Sequence, residues 1–326
     1  MYICLAYYHF FKPPEKLENP EKFVKDHKRF LESKDAKGRI YINEQGINGQ
    51  MSIHENDAES YIEWFHSHDP FKDVEFKVHV YPEHAFSKLT VKYRMQLVAL
   101  DKEVDLSLAG DHLNSKEWDE MLQEKNEDTI LIDVRNNYEW KVGHFEGAIL
   151  PELESFRDFN EYIDGLKKLY DAKKTKVMMY CTGGIRCELY SALMKQKGFD
   201  TIYQLQGGVI KYGLEQGVKH WRGKLFVFDD RMVVPISRDE TEVISECYMC
   251  KKPYDVYYNC ANMDCNKLFI SCPECVKNLS GCCCENCTKE PRVRAFNPEQ
   301  NPKPFRKLPF DQKVALRINS KELSPV

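Results

Sequence analysis

The chain lacks any run of about 18 apolar residues, the length a helix needs to span a bilayer, so no membrane segment is expected. It also lacks an excess of positive charge. Its 326 residues carry 47 Lys and Arg against 51 Asp and Glu, a net charge of −4. No global field therefore draws it to nucleic acid or membrane, and any basic surface has to be local. The opening stretch MYICLAYYHFFKPPE lacks the basic leader of a secretory signal; its short, aromatic apolar run reads as a first strand. Cysteine is scarce over most of the chain. Of thirteen, only Cys4, Cys181 and Cys187 lie outside Cys247–Cys287. A secreted disulfide scaffold would spread them. Clustered pairs without a leader favour a reducing compartment, hence the cytoplasm, and metal binding.

What is present divides into four pieces: 1–100, 101–235, 236–290 and 291–326. Hydrophobic content of 42% and charged content of 30% suit a globular protein of two or three domains.

The first piece alternates strand and helix signals. YICLAYYHF reads as a strand and EKFVKDHKRFLES as a helix. GRIYINEQGINGQMSI reads as a hairpin, NDAESYIEWFHSH as a second helix and VEFKVHVYP as a further strand. The order βαββαβ predicts a ferredoxin-like split βαβ domain. FSKLTVKYRMQLV follows. Lys88, Thr90, Lys92 and Arg94 alternate there with Leu89, Val91, Tyr93 and Met95, which predicts a strand with one basic and one apolar face. Lysines often blunt an exposed sheet edge, so a solvated edge is the plainer reading. The other is a nucleic-acid-binding strip of Lys88, Lys92 and Arg94.

The second piece alternates buried-type strands (TILIDVR, KVMMYC, TIYQLQGG) with helices. NSKEWDEMLQEK has Asn114 as a plausible N-cap and Glu117 three residues on, and RCELYSALMKQKGF ends before Gly198. This predicts an α/β domain with a mainly parallel sheet covered on both faces.

Cys181 ends one of these strands, and a helix follows its loop Thr182-Gly183-Gly184-Ile185-Arg186. Two glycines let successive N–H groups curl inward, and such a nest at a helix N-terminus stabilises an anion. The nearest anion is the Cys181 thiolate, and Arg186 adds positive charge. Together these lower a thiol pKa and mark Cys181 as a reactive nucleophile. The plain alternative is a buried structural cysteine in a turn. Cys187, in the first helical turn, is read as a core cysteine; it is also close enough in sequence to serve as a resolving thiol.

The third piece runs Cys247-x2-Cys250, Cys260-x4-Cys265, Cys272-x2-Cys275 and Cys282-Cys283-Cys284-x2-Cys287. Short pairs aim two sulfurs at one metal, and four pairs can hold two ions. No histidine follows His220, so the sites are all-sulfur and structural. The expected ligands are Cys247, Cys250, Cys260, Cys265, Cys272, Cys275, Cys283 and Cys287, with spares among Cys282–Cys284. Pairing can be sequential or crossed; the crossed one is favoured, with pairs one and three on one ion and pairs two and four on the other. Zinc is the first choice; an iron–sulfur cluster or disulfides are the alternatives. From residue 288 on, nine Lys and Arg face four Asp and Glu with little hydrophobic periodicity, so 291–326 is expected to be a basic, disordered tail.

DVRNNYEWKVGHFEGAI (133–149) followed by YCTGGIRCE (180–188) resembles a rhodanese domain. The resemblance implies that Cys181 takes up a sulfane sulfur as a persulfide and that 182–186 cradle it. Asp133, Arg135, Glu139 and His144 match signature positions that are mostly structural; His144 as a general base is the lesser reading. Cysteine phosphatases of similar topology use Cys-x5-Arg, whereas Cys181 to Arg186 is Cys-x4-Arg, a tighter ring better suited to one sulfur atom than to phosphate. With CTGGIRCE, LQGGVIKYG, KLFVFDDRM and the cysteine module, residues 1–290 resemble the TrhO (formerly YceA) family of tRNA uridine hydroxylases. That resemblance implies oxygen-dependent formation of 5-hydroxyuridine at the wobble position. It implies Cys181 as the essential residue, molecular oxygen as co-substrate, tRNA as partner, and a sulfur donor or reductant as a further partner. Two other classes stay open: a plain sulfurtransferase, and a non-enzymatic RNA or protein adaptor.

Overall fold

The computed structural model describes residues 1–238 and 241–296. Most of the segment read as a basic tail lies outside the described residues. The chain forms two compact units, one of residues 1–140 with 144–241, the other of 141–143 with the residues from 242 on.

The first unit contains two sheets. The first has strands β1 (Tyr2–Phe10), β2 (Ala36–Asn43), β3 (Gly46–His54), β4 (Lys77–Tyr81) and β5 (Leu89–Tyr93), in the order β4-β1-β3-β2-β5. The four-strand part has the split βαβ order expected; β5 adds a fifth strand, parallel to β2. Helices α1 (Pro20–Glu32) and α2 (Glu55–His66) form where expected. The Asn19 side chain accepts from the Lys22 N–H at 3.1 Å and Pro20 opens α1, so the helix start costs little backbone hydrogen bonding. Both helices pack on one sheet face. Odd positions of β1 (Leu5, Tyr7) point into that core with Ile40, Met51, Tyr61 and Phe65. Each such burial contributes about 1.5–3 kcal/mol. Even positions, Ala6 and Tyr8, point to the opposite face.

The basic and apolar alternation predicted for 88–95 holds only in part. β5 is an edge strand whose Leu89 and Val91 pack inward. Tyr93 and Met95 were expected on that apolar face, but they are exposed, Met95 to 83%. The strand ends at Tyr93, and the pattern outlives the sheet that gives it meaning.

The second sheet is built from β6 (Asp111–Leu113), β7 (Thr129–Asp133), β9 (Lys176–Tyr180) and β10 (Thr201–Leu205), with the short β8 (Gly143–Phe145) outside it. Its order is β6-β10-β9-β7 and every pairing is parallel. The helices are α3 (Ser115–Gln123), α4 (Asn137–Trp140), α5 (Phe159–Leu169), α6 (Ile185–Gln196) and α7 (Gly208–Gln216). Asn114 caps α3, accepting from the Lys116 and Glu117 N–H groups, while Glu117 accepts from the Asn114 N–H. Alternate residues of β7 and β9 enter separate cores. Ile130, Ile132, Val177 and Met179 pack toward α5 and α6; Leu131, Met178 and Tyr180 pack toward α3 and α7. Both faces are thus covered, as an all-parallel sheet requires. The short strands β11 (Trp221–Gly223), β12 (Leu225–Phe226) and β13 (Val233–Val234) follow.

The second unit holds an antiparallel pair, β14 (Tyr257–Asn259) and β15 (Leu268–Ile270), and two short helices, α8 (Pro273–Asn278) and α9 (Glu285–Thr288). Its small apolar core includes Tyr258, Ala261, Phe269 and Val276.

Candidate active site and cysteine clusters

Strand β9 delivers Cys181 to the sheet's C-terminal edge, where ligands of open α/β sheets gather. The Gly184 N–H donates to the Cys181 sulfur at 3.1 Å. Gly184 has φ +101°, and a Cβ there would lie 2.7 Å from the Tyr8 hydroxyl, so only glycine serves. The loop carbonyls face the other way: Val209 N–H donates to the Cys181 carbonyl at 3.0 Å and Ile210 N–H to that of Thr182 at 3.1 Å. Gly208, at φ +66°, permits this approach, since its Cβ would stand 2.6 Å from the Cys181 oxygen. The segment LQGGVIKYG thus backs the loop with the start of α7.

Cys181 is wholly buried. Burial alone would raise its pKa. Against it act a hydrogen bond from the Cys187 thiol, the Arg186 guanidinium, and the backbone N–H groups of Arg186 and Gly184; the result is a thiol lowered to about 5. Burial and the neighbouring Cys181 push the Cys187 thiol well up, so it remains a protonated donor.

Arg186 is fixed by Glu139. Its Nη2 donates to a Glu139 oxygen at 2.7 Å, and its Nη1 bonds the other. Glu139 also accepts from the Thr182 hydroxyl at 3.2 Å and the Asn136 N–H at 3.0 Å. A buried cation stripped of its partner costs about 3–5 kcal/mol, so Glu139 belongs to the loop as much as Arg186 does. Asp133 and Arg135 form a second wholly buried pair at 2.6 Å, and Arg135 lies over the rings of Tyr180 and Trp221. The His144 Nδ1 bonds the Trp140 carbonyl at 2.9 Å, and His144 is not among the residues lining the cavity over Cys181.

In the second unit two groups of four cysteines gather, each with all its sulfurs within 4.8 Å of one another. One is Cys247, Cys250, Cys272 and Cys275; the other is Cys260, Cys265, Cys283 and Cys287. The arrangement is the crossed one. Sulfurs of Cys250 and Cys272 are 3.8 Å apart, those of Cys265 and Cys283 3.8 Å, and those of Cys283 and Cys287 3.9 Å. Four thiolates at about 2.3 Å from one tetrahedral ion stand about 3.8 Å apart, so each group fits a single ion. No disulfide joins any of the thirteen cysteines. Cys282 is buried and Cys284 exposed, both outside the groups.

Residues 2–97 match the UPF0176 acylphosphatase like domain, 115–215 the Rhodanese-like domain, and 222–288 the family described as Rhodanase C-terminal. A tRNA uridine(34) hydroxylase of Protochlamydia amoebophila is 50% identical over 306 residues, 94% of this chain and 94% of that protein. One of Chlamydia felis is 51% identical over 309 residues, 94% and 93%. One of Chlamydia caviae is 49% identical over 325 residues, 99% and 96%. The chain belongs to the tRNA uridine(34) hydroxylase family.

The candidate site of this hydroxylase-family chain includes residues that the sequence reading missed. The cavity over Cys181 is lined on one side by Thr182, Gly183, Ile185 and Arg186, and on the other by Tyr8, Arg39, Tyr41, Gln50 and Lys77 of the first sheet. For Tyr8 and Gln50 the signal was the alternation in β1 and β3; Arg39 and Tyr41 lie on β2 and Lys77 on β4. With one face taken by helices, Tyr8, Asn48 and Gln50 fall on the other, beside Arg39 and Lys77. Glu188, also missed, accepts from Tyr8 at 3.1 Å and His112 at 2.8 Å, tying the first sheet to α6. Lys92 pairs with Tyr41 and shares its face; Arg94 lies 5.3 Å from the Tyr41 ring centre. Lys88 precedes β5 and is exposed, as are Lys92 and Arg94.

Proposed function

We propose that this chain forms 5-hydroxyuridine at the wobble position of tRNA, with Cys181 as its reactive sulfur. The observation that carries the reading is a wholly buried cysteine held as thiolate by backbone N–H groups and Arg186, in a chain about half identical to tRNA uridine(34) hydroxylases along almost its full length. The thiolate attacks the sulfane sulfur of a donor. A new S–S bond forms on Cys181, and the donor's leaving group departs with the electron pair of the broken bond. The resulting persulfide anion occupies the same nest. Molecular oxygen is the co-substrate in this reading, and a sulfur donor or reductant the further partner. The two four-cysteine groups hold zinc as structural ions. Nucleosides from tRNA of a deletion strain, read by mass spectrometry, test the activity. Loss of 5-hydroxyuridine supports it; loss of thiolated uridine instead points to sulfur transfer.

Lys88, Lys92 and Arg94 hold tRNA phosphates beside this cavity, since Lys92 and Arg94 flank Tyr41 at its edge. Replacing all three with alanine is expected to weaken tRNA binding and to flatten its salt dependence by up to about three log units per log unit of salt, on the order of one per lost contact. Binding measured across a salt titration checks this; an unchanged slope returns the strand to a solvated edge.

A further inference from the structure

The cavity over Cys181 has a wall that the rhodanese-type loop does not supply, the helix-free face of the first sheet. Lys77 and Gln50 stand there beside Tyr8, across from Cys181 and Thr182. Lys77 is half-buried and forms no ion pair among the described residues; its ammonium lies 5.0 Å from the Tyr8 ring centre. Burial outweighs the attraction of Cys181 and brings Lys77 down to about 8. Gln50 is half-buried too, and its side-chain amide bonds no other group among the described residues. Polar groups without partners are costly once an occupant displaces water, unless that occupant pairs with them. The occupant therefore has to bring an acceptor for Lys77 and a mixed donor–acceptor edge for the amide.

We propose that Lys77 and Gln50 are the base-reading residues of the site, Lys77 donating to the O4 carbonyl of a uracil ring and the Gln50 amide meeting its N3–H and O2. This deepens, and rests on, the reading of the chain as a uridine hydroxylase. The two residues act together. The amide's acceptor and donor match the N3–H and O2 of uracil, whereas cytosine presents two acceptors there, and an ammonium has donors only. Cytosine places an amino group where uracil has O4, so Lys77 rejects it, and Gln50 aligns the ring over the sulfur. Cys181 is wholly buried, so the base has to leave its stack to reach it, as single-stranded loop bases do. Tyr8, Tyr41 and Phe228 give the extruded ring apolar surface, and Arg39, Lys92 and Arg94 stand toward the edge where the backbone stays outside.

The test uses full-length protein and two anticodon stem-loop RNAs that differ only in U or C at position 34. Iodoacetamide labelling of Cys181 is followed by mass spectrometry, and RNA affinity is measured alongside. In the parent protein the U34 RNA is expected to slow labelling at least about tenfold more than the C34 RNA. Lys77→Met should cut that preference severalfold while RNA affinity stays within about twofold; Lys77→Arg, which keeps donors, should retain more of it. Gln50→Leu should weaken protection by the U34 RNA, and it carries the test if Lys77→Met does not fold. The proposal fails if Lys77→Met prefers U34 as strongly as the parent does, or if it loses protection by both RNAs together with affinity, which marks Lys77 as a phosphate contact. A parent protein that yields no 5-hydroxyuridine overturns the functional reading itself. A parent that hydroxylates, with Lys77→Met and Gln50→Leu each distinguishing U from C as strongly as the parent, overturns this inference alone.

Discussion

Cys181→Ser is expected to abolish 5-hydroxyuridine formation while leaving the protein folded. Serine nearly matches cysteine in size, and its oxygen can still accept from the Gly184 N–H that now bonds the sulfur at 3.1 Å. It cannot carry a sulfane sulfur, and its hydroxyl is not ionised at working pH. Cells complemented with the variant should show no 5-hydroxyuridine by nucleoside mass spectrometry, with the purified variant's melting temperature close to that of the parent. Full activity ends the sulfur-centred reading. In the parent, Cys181 labelling should follow the thiolate, which prevails above a pKa of about 5: half-maximal near pH 5 and level by about pH 7, where an ordinary thiol is still climbing. Cys187→Ser should keep partial activity, since a serine hydroxyl preserves the hydrogen bond to Cys181 but not a resolving thiol.

Protein purified without added metal should contain about two zinc ions per chain, one for each four-cysteine group. A structural zinc site contributes an apparent 10–16 kcal/mol, comparable with or larger than the whole stability of a small domain. Strong chelation is therefore expected to unfold the second unit, whose own apolar core is small. Cys260→Ser should lose one equivalent. Cys284→Ser, exposed and outside both groups, should keep two. Brown protein with visible charge-transfer absorption, or metal-free folded protein, overturns zinc.

Two four-sulfur groups were legible in the spacing, because short Cys pairs aim two sulfurs at one ion; their crossed arrangement was favoured but not fixed, since the spacing permits a sequential one equally well. The nest around Cys181 was legible because glycines, arginine and a helix start are local in sequence. So was the parallel sheet, whose strands are continuous apolar runs. The second wall of the cavity was not. Lys77 and Cys181 are far apart in the chain, and nothing in VEFKVHVYP says which strand face will meet another domain. Alternation reports that two faces differ, but not what covers the second. The same limit misled the reading of Tyr93 and Met95, which keep an alternation the sheet no longer uses.

Tyr8 packs over Gly184, and that contact has a consequence for synthesis. At about 5–20 residues per second, Cys181 leaves the ribosome roughly 4–18 s after Tyr93, the last residue of the first sheet. Through that interval the first sheet waits with one face unoccupied, and once the cysteine emerges its loop closes against a surface already made. A chain whose first strand is displaced would still build the nest, but would leave it open to any passing thiol or oxidant. The order of domains along the chain thus lets the shield exist before the reactive atom it encloses.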